Sequence, residues 1–333
     1  MKVLFTGGGT AGHINPALAA AGYLLQKEPD AQILYVGNKG GMEERLVAQA
    51  GYDMKTVHIS GFQRKLTPKN LVRNAQTVVR VFTASAEAKR IIKAFGPDVC
   101  VGTGGYVSGP VIREAAKLGI PCVIHESNAY PGVTTKMLAK SVKAVMLAVP
   151  DAKQYFDSSV NCVVTGNPVR GEVLAAERES SRKELGLDDR PVVLSFGGSL
   201  GARRVNEVVG DLCAWEQHEH KPVLHLHATG QYGVQLFKDL EQQKGFAEGD
   251  SLVVKEYINN MPELLAAADL VISRAGALTL AELEAVGRAA VLIPSPNVAE
   301  NHQYFNAMEL QKADAAVVIE EKDLTGEKLV STV

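Results

Sequence analysis

The sequence predicts an α/β protein of two doubly wound parallel-sheet domains facing each other across a cleft, and three observations carry that expectation. A chain of 333 residues is long for one hydrophobic core and comfortable for two. Short apolar runs alternate with longer amphipathic ones nearly throughout, the pattern of parallel strands covered by helices on both faces. A strand, a glycine turn and a helix follow one another from Val3 to His13, and the same design returns from Val192 to Arg203.

The first element sets the theme. Val3-Leu4-Phe5 reads as a buried strand, Gly7-Gly8-Gly9 break it, and the apolar-periodic segment 14–25 reads as a helix with Pro16 in its first turn. That order leaves bare N–H groups at a helix N-terminus, a ready site for phosphate. Further strands are expected at 32–36, 54–58, 98–101, 121–124, 143–146 and 162–165, with helices at 43–49, 70–94, 111–117 and 133–139. Residues 102–110 form a second glycine turn after a strand. The turn-rich run Thr165-Gly166-Asn167-Pro168-Val169-Arg170 and the polar stretch behind it mark a boundary, giving domains 1–166 and 167–333. Strands then resume at 192–195, 223–227, 252–254, 270–273, 290–293 and 315–319.

Apolar content of 46%, charged content of 22% and a net charge of −2 suit a globular enzyme and give no reason to expect nucleic acid. No secretory leader is expected, and no apolar stretch approaches the roughly 20 residues that span a bilayer. The cysteines (Cys100, Cys122, Cys162, Cys213) lie far apart and read as reduced thiols. One segment departs from the average. Between Phe62 and Lys93, Arg64, Lys65, Lys69, Arg73, Arg80, Lys89, Arg90 and Lys93 meet a single acid, Glu87, with Leu71, Val72, Val78, Val79, Val81 and Phe82 among them. A solvated helix face and a dock for an anionic membrane surface both fit, and the residues alone do not choose.

Gly7, Gly9 and Gly12 satisfy the dinucleotide fingerprint, but the second strand ends in Gly37-Asn38-Lys39 with no acid for a ribose, which argues against NAD. The lysine of an ATP-binding P-loop is also missing. Gly197-Gly198-Ser199-Leu200-Gly201 matches a hydrolase nucleophile elbow, with Asp269 and His302 following in order, yet Asp269 precedes its strand instead of following it. Among His218, His220, His225 and His227 the last two share one side of a strand. No carboxylate or thiolate stands in register with them, so no metal site is expected. His13 sits at the mouth of the first glycine loop, where the helix dipole favours a neutral ring. It either accepts a proton from a hydroxyl or only orients the loop.

The run Gly7-Gly8-Gly9-Thr10-Ala11-Gly12-His13-Ile14-Asn15-Pro16 resembles the first glycine loop of the MurG family of glycosyltransferases. Gly104-Gly105-Tyr106-Val107-Ser108-Gly109-Pro110 resembles the second loop and Gly197-Gly198-Ser199-Leu200-Gly201-Ala202 the third. His125-Glu126-Ser127-Asn128, Gly166-Asn167-Pro168-Val169-Arg170, Ser273-Arg274-Ala275-Gly276-Ala277-Leu278-Thr279 with Glu282, and Gln303 with Asn306-Ala307 are similar to further blocks. All stand in family order.

The resemblance implies a GT-B fold, an N-terminal domain for the acceptor and the membrane, and a C-terminal domain for the UDP-sugar. It places Ser199 and the amides after it, with Ala277, Leu278 and Thr279, on the diphosphate, Glu282 on the ribose, the main chain of Ile258 on uracil and Gln303 on the sugar. Asn128 and Arg170 would stand at the cleft, Thr10, Ala11 and Gly12 would complete the site, and Gly104, Gly105, Tyr106 and Ser108 would form an acceptor or diphosphate loop. His13 is the candidate base. The implied reaction is inverting: the muramyl 4-hydroxyl of lipid I (undecaprenyl-pyrophosphoryl-MurNAc-pentapeptide) attacks UDP-N-acetylglucosamine, giving lipid II in peptidoglycan synthesis. No cofactor or metal is implied, and the implied location is peripheral, on the cytoplasmic face of the bacterial inner membrane. Two departures stand out. His302 occupies a place where the family has glutamine, and the chain stops before the family's usual C-terminal crossover helix, so looser domain closure is expected. A related transferase with another acceptor, a non-catalytic UDP-sugar-binding subunit and a UDP-sugar epimerase are the alternatives.

Overall fold

The computed structural model describes residues 1–61, 67–198 and 200–333; the side chains of 68–73, 75, 76 and 299 are not described. Phe62, Arg64, Lys65 and Ser199 therefore lie outside the described residues, as do the side chains of Lys69 and Arg73. The chain divides into two units, Met1–Pro168 and Val169–Val333. The first runs β1 (Lys2–Thr6), α1 (Ala11–Lys27), β2 (Gln32–Asn38), α2 (Met42–Gln49), β3 (Asp53–Val57) and α3 (Pro68–Phe95). It continues β4 (Val99–Gly102), α4 (Gly105–Lys117), β5 (Cys122–Glu126), α5 (Val133–Leu138), β6 (Ala144–Leu147) and β7 (Cys162–Val164). The second opens with α6 (Gly171–Ala175), α7 (Arg178–Glu184), β8 (Val192–Phe196), α8 (Arg203–His218), β9 (Leu224–Ala228) and α9 (Val234–Lys244). It closes with β10 (Leu252–Lys255), α10 (Met261–Ala267), β11 (Leu270–Ser273), α11 (Ala277–Val286), β12 (Ala289–Leu292), α12 (His302–Lys312), β13 (Ala316–Val318) and α13 (Gly326–Thr332). Every expected strand is present, with its ends within two residues of the expectation.

Both sheets are parallel throughout, ordered β3-β2-β1-β4-β5-β6-β7 and β10-β9-β8-β11-β12-β13. Alternation along β1 serves the two faces of its sheet. Val3 and Phe5 pack with Ile14, Ala17 and Ala21 of α1 and Val47 of α2, while Leu4 packs with Ala84, Ala88 and Ile92 of α3 and Val107 and Val111 of α4. The second sheet does the same. Val192 and Leu194 join Leu265 of α10 and Leu280 of α11, and Val193 joins Val205 and Val209 of α8 with Phe237 of α9. In each sheet the order reverses beside the first strand, between β1 and β4 and between β8 and β11, and a crevice opens at the strands' C-terminal ends there. The glycine loops lie at those two reversals.

Three expectations need correction. Helix α1 begins at Ala11, not 14, so Pro16 falls beyond the first turn and withholds the N–H that would bond the Gly12 carbonyl. Helix α4 begins at Gly105, not 111, and runs through Pro110, so most of the second glycine turn is the opening of a helix. The boundary falls after Pro168 instead of after Gly166. Its cause is local: His125 Nε2 donates to the Gly166 carbonyl (3.1 Å) and Asn167 Nδ2 to that of Ser127 (3.2 Å), holding this run to the first unit.

At the foot of β11 Asp269 accepts from the Val192 N–H (2.8 Å) and pairs with Arg178 (2.5 Å) and Arg182 (3.5 Å), tying α7 to the sheet. Burial pushes its carboxyl up, but the Val192 amide and the two guanidinium groups outweigh that and hold it below the usual carboxylate range. A carboxylate so depressed contributes stability above its unfolded pKa, about 4, and loses it as the pH falls through the lower folded value. Asp269→Asn is expected to cost about 1–2 kcal/mol at neutral pH in urea unfolding, because the pair is partly solvent-screened. The difference from the wild type should shrink as the pH falls below about 4.

Candidate functional site

In the first unit, loop 7–10 and the turn before α4 are locked together. The Gly8 N–H donates to the Gly104 carbonyl (3.3 Å), and the Thr103 hydroxyl donates to the His13 carbonyl (2.6 Å). Tyr35 Oη donates to the Gly7 carbonyl (3.0 Å), and the Gly9 N–H donates to Glu43 Oε1 (3.0 Å). Glu43 is a fully buried carboxylate in the first turn of α2 whose role the sequence alone did not suggest. The approach is close enough that a Cβ on Gly105, whose φ is +79°, would lie 2.0 Å from the Gly8 carbonyl oxygen. Thr10 is the N-cap of α1, and the first-turn amides of Ala11 and Gly12, both exposed, have no acceptor within the helix.

His13 Nδ1 lies 3.1 Å from the Gly8 carbonyl oxygen and 3.1 Å from Thr10 Oγ1. A carbonyl only accepts, so the proton between them belongs to Nδ1, and Nε2 is the basic nitrogen of the ring. Tyr106 is half-buried against Gly9 and Gly61. Burial, then the charge of Glu43, push its phenol up, against a hydrogen bond with Asn38. Ser108 does not fit the role expected of it: it is buried and donates to the Gly105 carbonyl (3.0 Å), one turn back in α4. Asn128 is fixed through Glu126, whose Oε1 accepts from the Asn128 amide and side chain (3.1 and 3.0 Å). The other carboxylate oxygen accepts from the Gly132 N–H (3.0 Å) and the Thr135 hydroxyl (2.6 Å).

In the second unit a cleft of about 660 Å³ opens at the sheet reversal, lined by Gly197, Gly198, Gly201, Thr279, Gln303 and the arginines Arg203, Arg204 and Arg274 among others. Gly201, at φ +85°, closes its turn by donating to the Gly198 carbonyl (2.9 Å). Arg274 is spent on structure, donating to the carbonyls of Ile293 and Pro294 (3.2 Å each) and pairing with Glu321. The first-turn amides of Leu278 and Thr279 have no acceptor within α11. Gln303 lends its side-chain oxygen to the Ser295 N–H (2.8 Å). Glu282 and Arg170 come together as an ion pair (3.0 Å), outside the lining of that cleft, and Ile258 is a buried core residue. Asp269 is not placed to serve a nucleophile elbow. Asp269 is at the opposite end of the parallel strands from the loop after β8, committed to Arg178 and Arg182.

One further expectation is overturned. A thiol and a carboxylate do stand in register with a histidine of β9: Cys213, Glu216 and His225 bring donor atoms within 4.8 Å of one another, outside the lining of the cleft. Both partners come from α8, which is why spacing along β9 did not show them.

Residues 3–147 match the glycosyltransferase family 28 N-terminal domain, and residues 192–333 match the glycosyltransferase family 28 C-terminal domain. The chain belongs to glycosyltransferase family 28. Among its family 28 relatives, the UDP-N-acetylglucosamine–N-acetylmuramyl-(pentapeptide) pyrophosphoryl-undecaprenol N-acetylglucosamine transferase of Acetivibrio thermocellus is 44% identical, over 97% of this chain and 86% of the relative. The protein of that name from a Thermoanaerobacter species is 45% identical over 99% of this chain and 89% of the relative. The crystal structure of Acinetobacter baumannii MurG superposes with a TM-score of 0.75 at 32% identity, over 99% of this chain and 89% of that one. The two parallel-sheet units are thus the GT-B arrangement of family 28.

The first family loop depends on backbone contact that admits no side chain. Gly105→Ala is expected to destabilise the protein by about 2–4 kcal/mol, from a disfavoured φ and a clash with main chain. Gly171→Ala, where a Cβ meets nothing within 4 Å, should be close to neutral in the same urea titration.

Proposed function

We propose that this family 28 enzyme transfers N-acetylglucosamine from UDP-N-acetylglucosamine to the muramyl 4-hydroxyl of lipid I, with inversion, forming lipid II. The observation that carries this is identity of 44–45%, over nearly the whole chain, to enzymes whose name states that donor and that acceptor. The geometry supplies what such a displacement needs. Loss of UDP leaves negative charge on a diphosphate, and preorganised main-chain amides at Leu278 and Thr279 offset it without reorganising. The loop from Gly197 to Ala202 supplies further donors, and Arg203 and Arg204, which share the single carboxylate of Glu207, leave net positive charge beside it. Glu282 takes the ribose hydroxyls, with Arg170 orienting its carboxylate, and the Gln303 side-chain amide, its oxygen held by Ser295, donates to the sugar. His13 is the base for the acceptor hydroxyl: its Nδ1–H is held at the Gly8 carbonyl, so Nε2 receives the proton. A single displacement forms no covalent intermediate and uses one base, in contrast to the paired carboxylates of most glycosidases.

The test is UDP release from UDP-N-acetylglucosamine with and without a lipid I analogue. Acceptor-dependent release is expected, falling by about 10²–10⁴ in kcat for His13→Ala. Release or epimerisation without acceptor would overturn the reading, and near-normal turnover with weakened binding would remove His13 as the base.

The reading extends to a membrane surface. Among the described residues no helix is long and apolar enough to cross a bilayer. Helix α3 instead presents Val79 at 63% and Phe82 at 72% exposure, near Arg80 and followed by Lys89, Arg90 and Lys93. Apolar side chains that enter the interface and cations that meet anionic headgroups make this a peripheral dock, about 1 kcal/mol per basic residue. It would hold the enzyme on the cytoplasmic leaflet, where lipid I is presented. Phe82→Glu is expected to release most of the protein from anionic liposomes in co-sedimentation, as raised salt should. Binding indifferent to both would refute the dock.

A further inference from the structure

The transfer reaction makes no use of a polar cluster buried in the second unit. Cys213 and Glu216 stand three residues apart on the inner face of α8, and His225 points at them from β9. Cys213 Sγ is 3.7 Å from His225 Nδ1, and Glu216 Oε2 is 2.8 Å from the same nitrogen. The other ring nitrogen, Nε2, lies 2.7 Å from Ser195 Oγ, which in turn lies 2.8 Å from His227 Nδ1. We propose that Cys213, Glu216 and His225 form a binding site for a divalent transition metal of the zinc type.

The donor set is one sulfur, one nitrogen and one oxygen, which suits zinc and not calcium or magnesium. Zinc–sulfur and zinc–nitrogen bonds at tetrahedral angles put the two ligand atoms about 3.5 Å apart, near the 3.7 Å found. The carboxylate must swing out from 2.8 Å to about 3.3 Å. Three protein ligands leave the fourth position for a water.

Charge favours the same reading. A thiolate, a carboxylate, a neutral imidazole and a dication sum to zero, the cheapest state for an interior. A metal takes the sulfur as thiolate and the imidazole as the neutral ring, so binding releases protons to solvent.

The surroundings already orient the imidazole. His225 Nε2–H donates to Ser195 Oγ, which leaves that hydroxyl's own hydrogen for His227 Nδ1. A ligating histidine is fixed in this way, through its second nitrogen. Ser195 precedes the loop from Gly197, and His227 precedes Thr229, whose carbonyl oxygen would lie 2.3 Å from a Cβ on Gly201. The site would brace the loop that the proposed donor uses.

The test takes the full chain, stripped with a chelator, and titrates zinc against a competing chromophoric chelator and cobalt by absorption. One metal per chain and a thiolate-to-cobalt charge-transfer band are expected. Cys213→Ser should remove the band and weaken zinc at least about 100-fold, beyond what loss of an orienting neighbour costs. A double variant at the exposed His218 and His220, both to Gln, should change neither. A chain with Cys100, Cys122 and Cys162 replaced by Ala should keep the band, which covers the case in which Cys213→Ser does not fold. A cobalt adduct without thiolate character, zinc held equally by Cys213→Ser, or binding lost with His218 and His220 would overturn the site and leave a buried ion pair in its place. None of these outcomes bears on sugar transfer.

Discussion

At the reversal of the first sheet, the turn after β1 and the start of α4 come so close that only hydrogen fits between the Cα of Gly105 and the Gly8 carbonyl. That contact is the constraint the rest of the first unit answers to. Parallel strands on either side of a reversal send their connections to opposite faces, which leaves a crevice at the C-terminal ends. Glycines let the two chains cross that crevice in contact, and the helices they lead into turn their first amides outward. The second sheet repeats the solution at Gly201, against the Thr229 carbonyl. A diphosphate suits such a place because the donors are main chain, fixed before any ligand arrives.

Buried charge holds these loops in shape. Glu43 lies beneath the first loop and accepts from Gly9, while Glu126 gathers four donors from the segment between Ser127 and Thr135. Desolvating a carboxylate costs several kcal/mol, and main-chain N–H donors offset it only when the loop keeps one conformation. The same logic pairs Glu282 with Arg170. That pair aims a carboxylate that solvent would otherwise leave free to rotate.

Some of the site was legible because it is local. A strand followed by glycines and an apolar-periodic helix is a pattern of neighbours, so the loops at Gly7, Gly104 and Gly197 could be placed from residue order. Helix starts were less legible, since Pro16 suits a first turn and the glycines up to Pro110 suit a loop, while the structure carries both prolines more than one turn into their helices. Roles that depend on a distant partner were not legible. Ser108 reads as a hydroxyl donor for a ligand until α4 folds it back on Gly105. His225 reads as unaccompanied until α8 lies against β9.

The residue order by itself determined which segments are strands, where the glycine turns fall and that two like halves follow one another. Those properties come from the periodicity of apolar side chains and from glycine's missing Cβ, and both act within a few residues. The tertiary structure alone decided which buried carboxylate serves which loop, that Glu282 meets Arg170, and that a thiol, a carboxylate and an imidazole share one pocket. Hydrogen bonds and ion pairs act over about 3 Å, so they exist only once folding has brought residues distant in sequence to that separation.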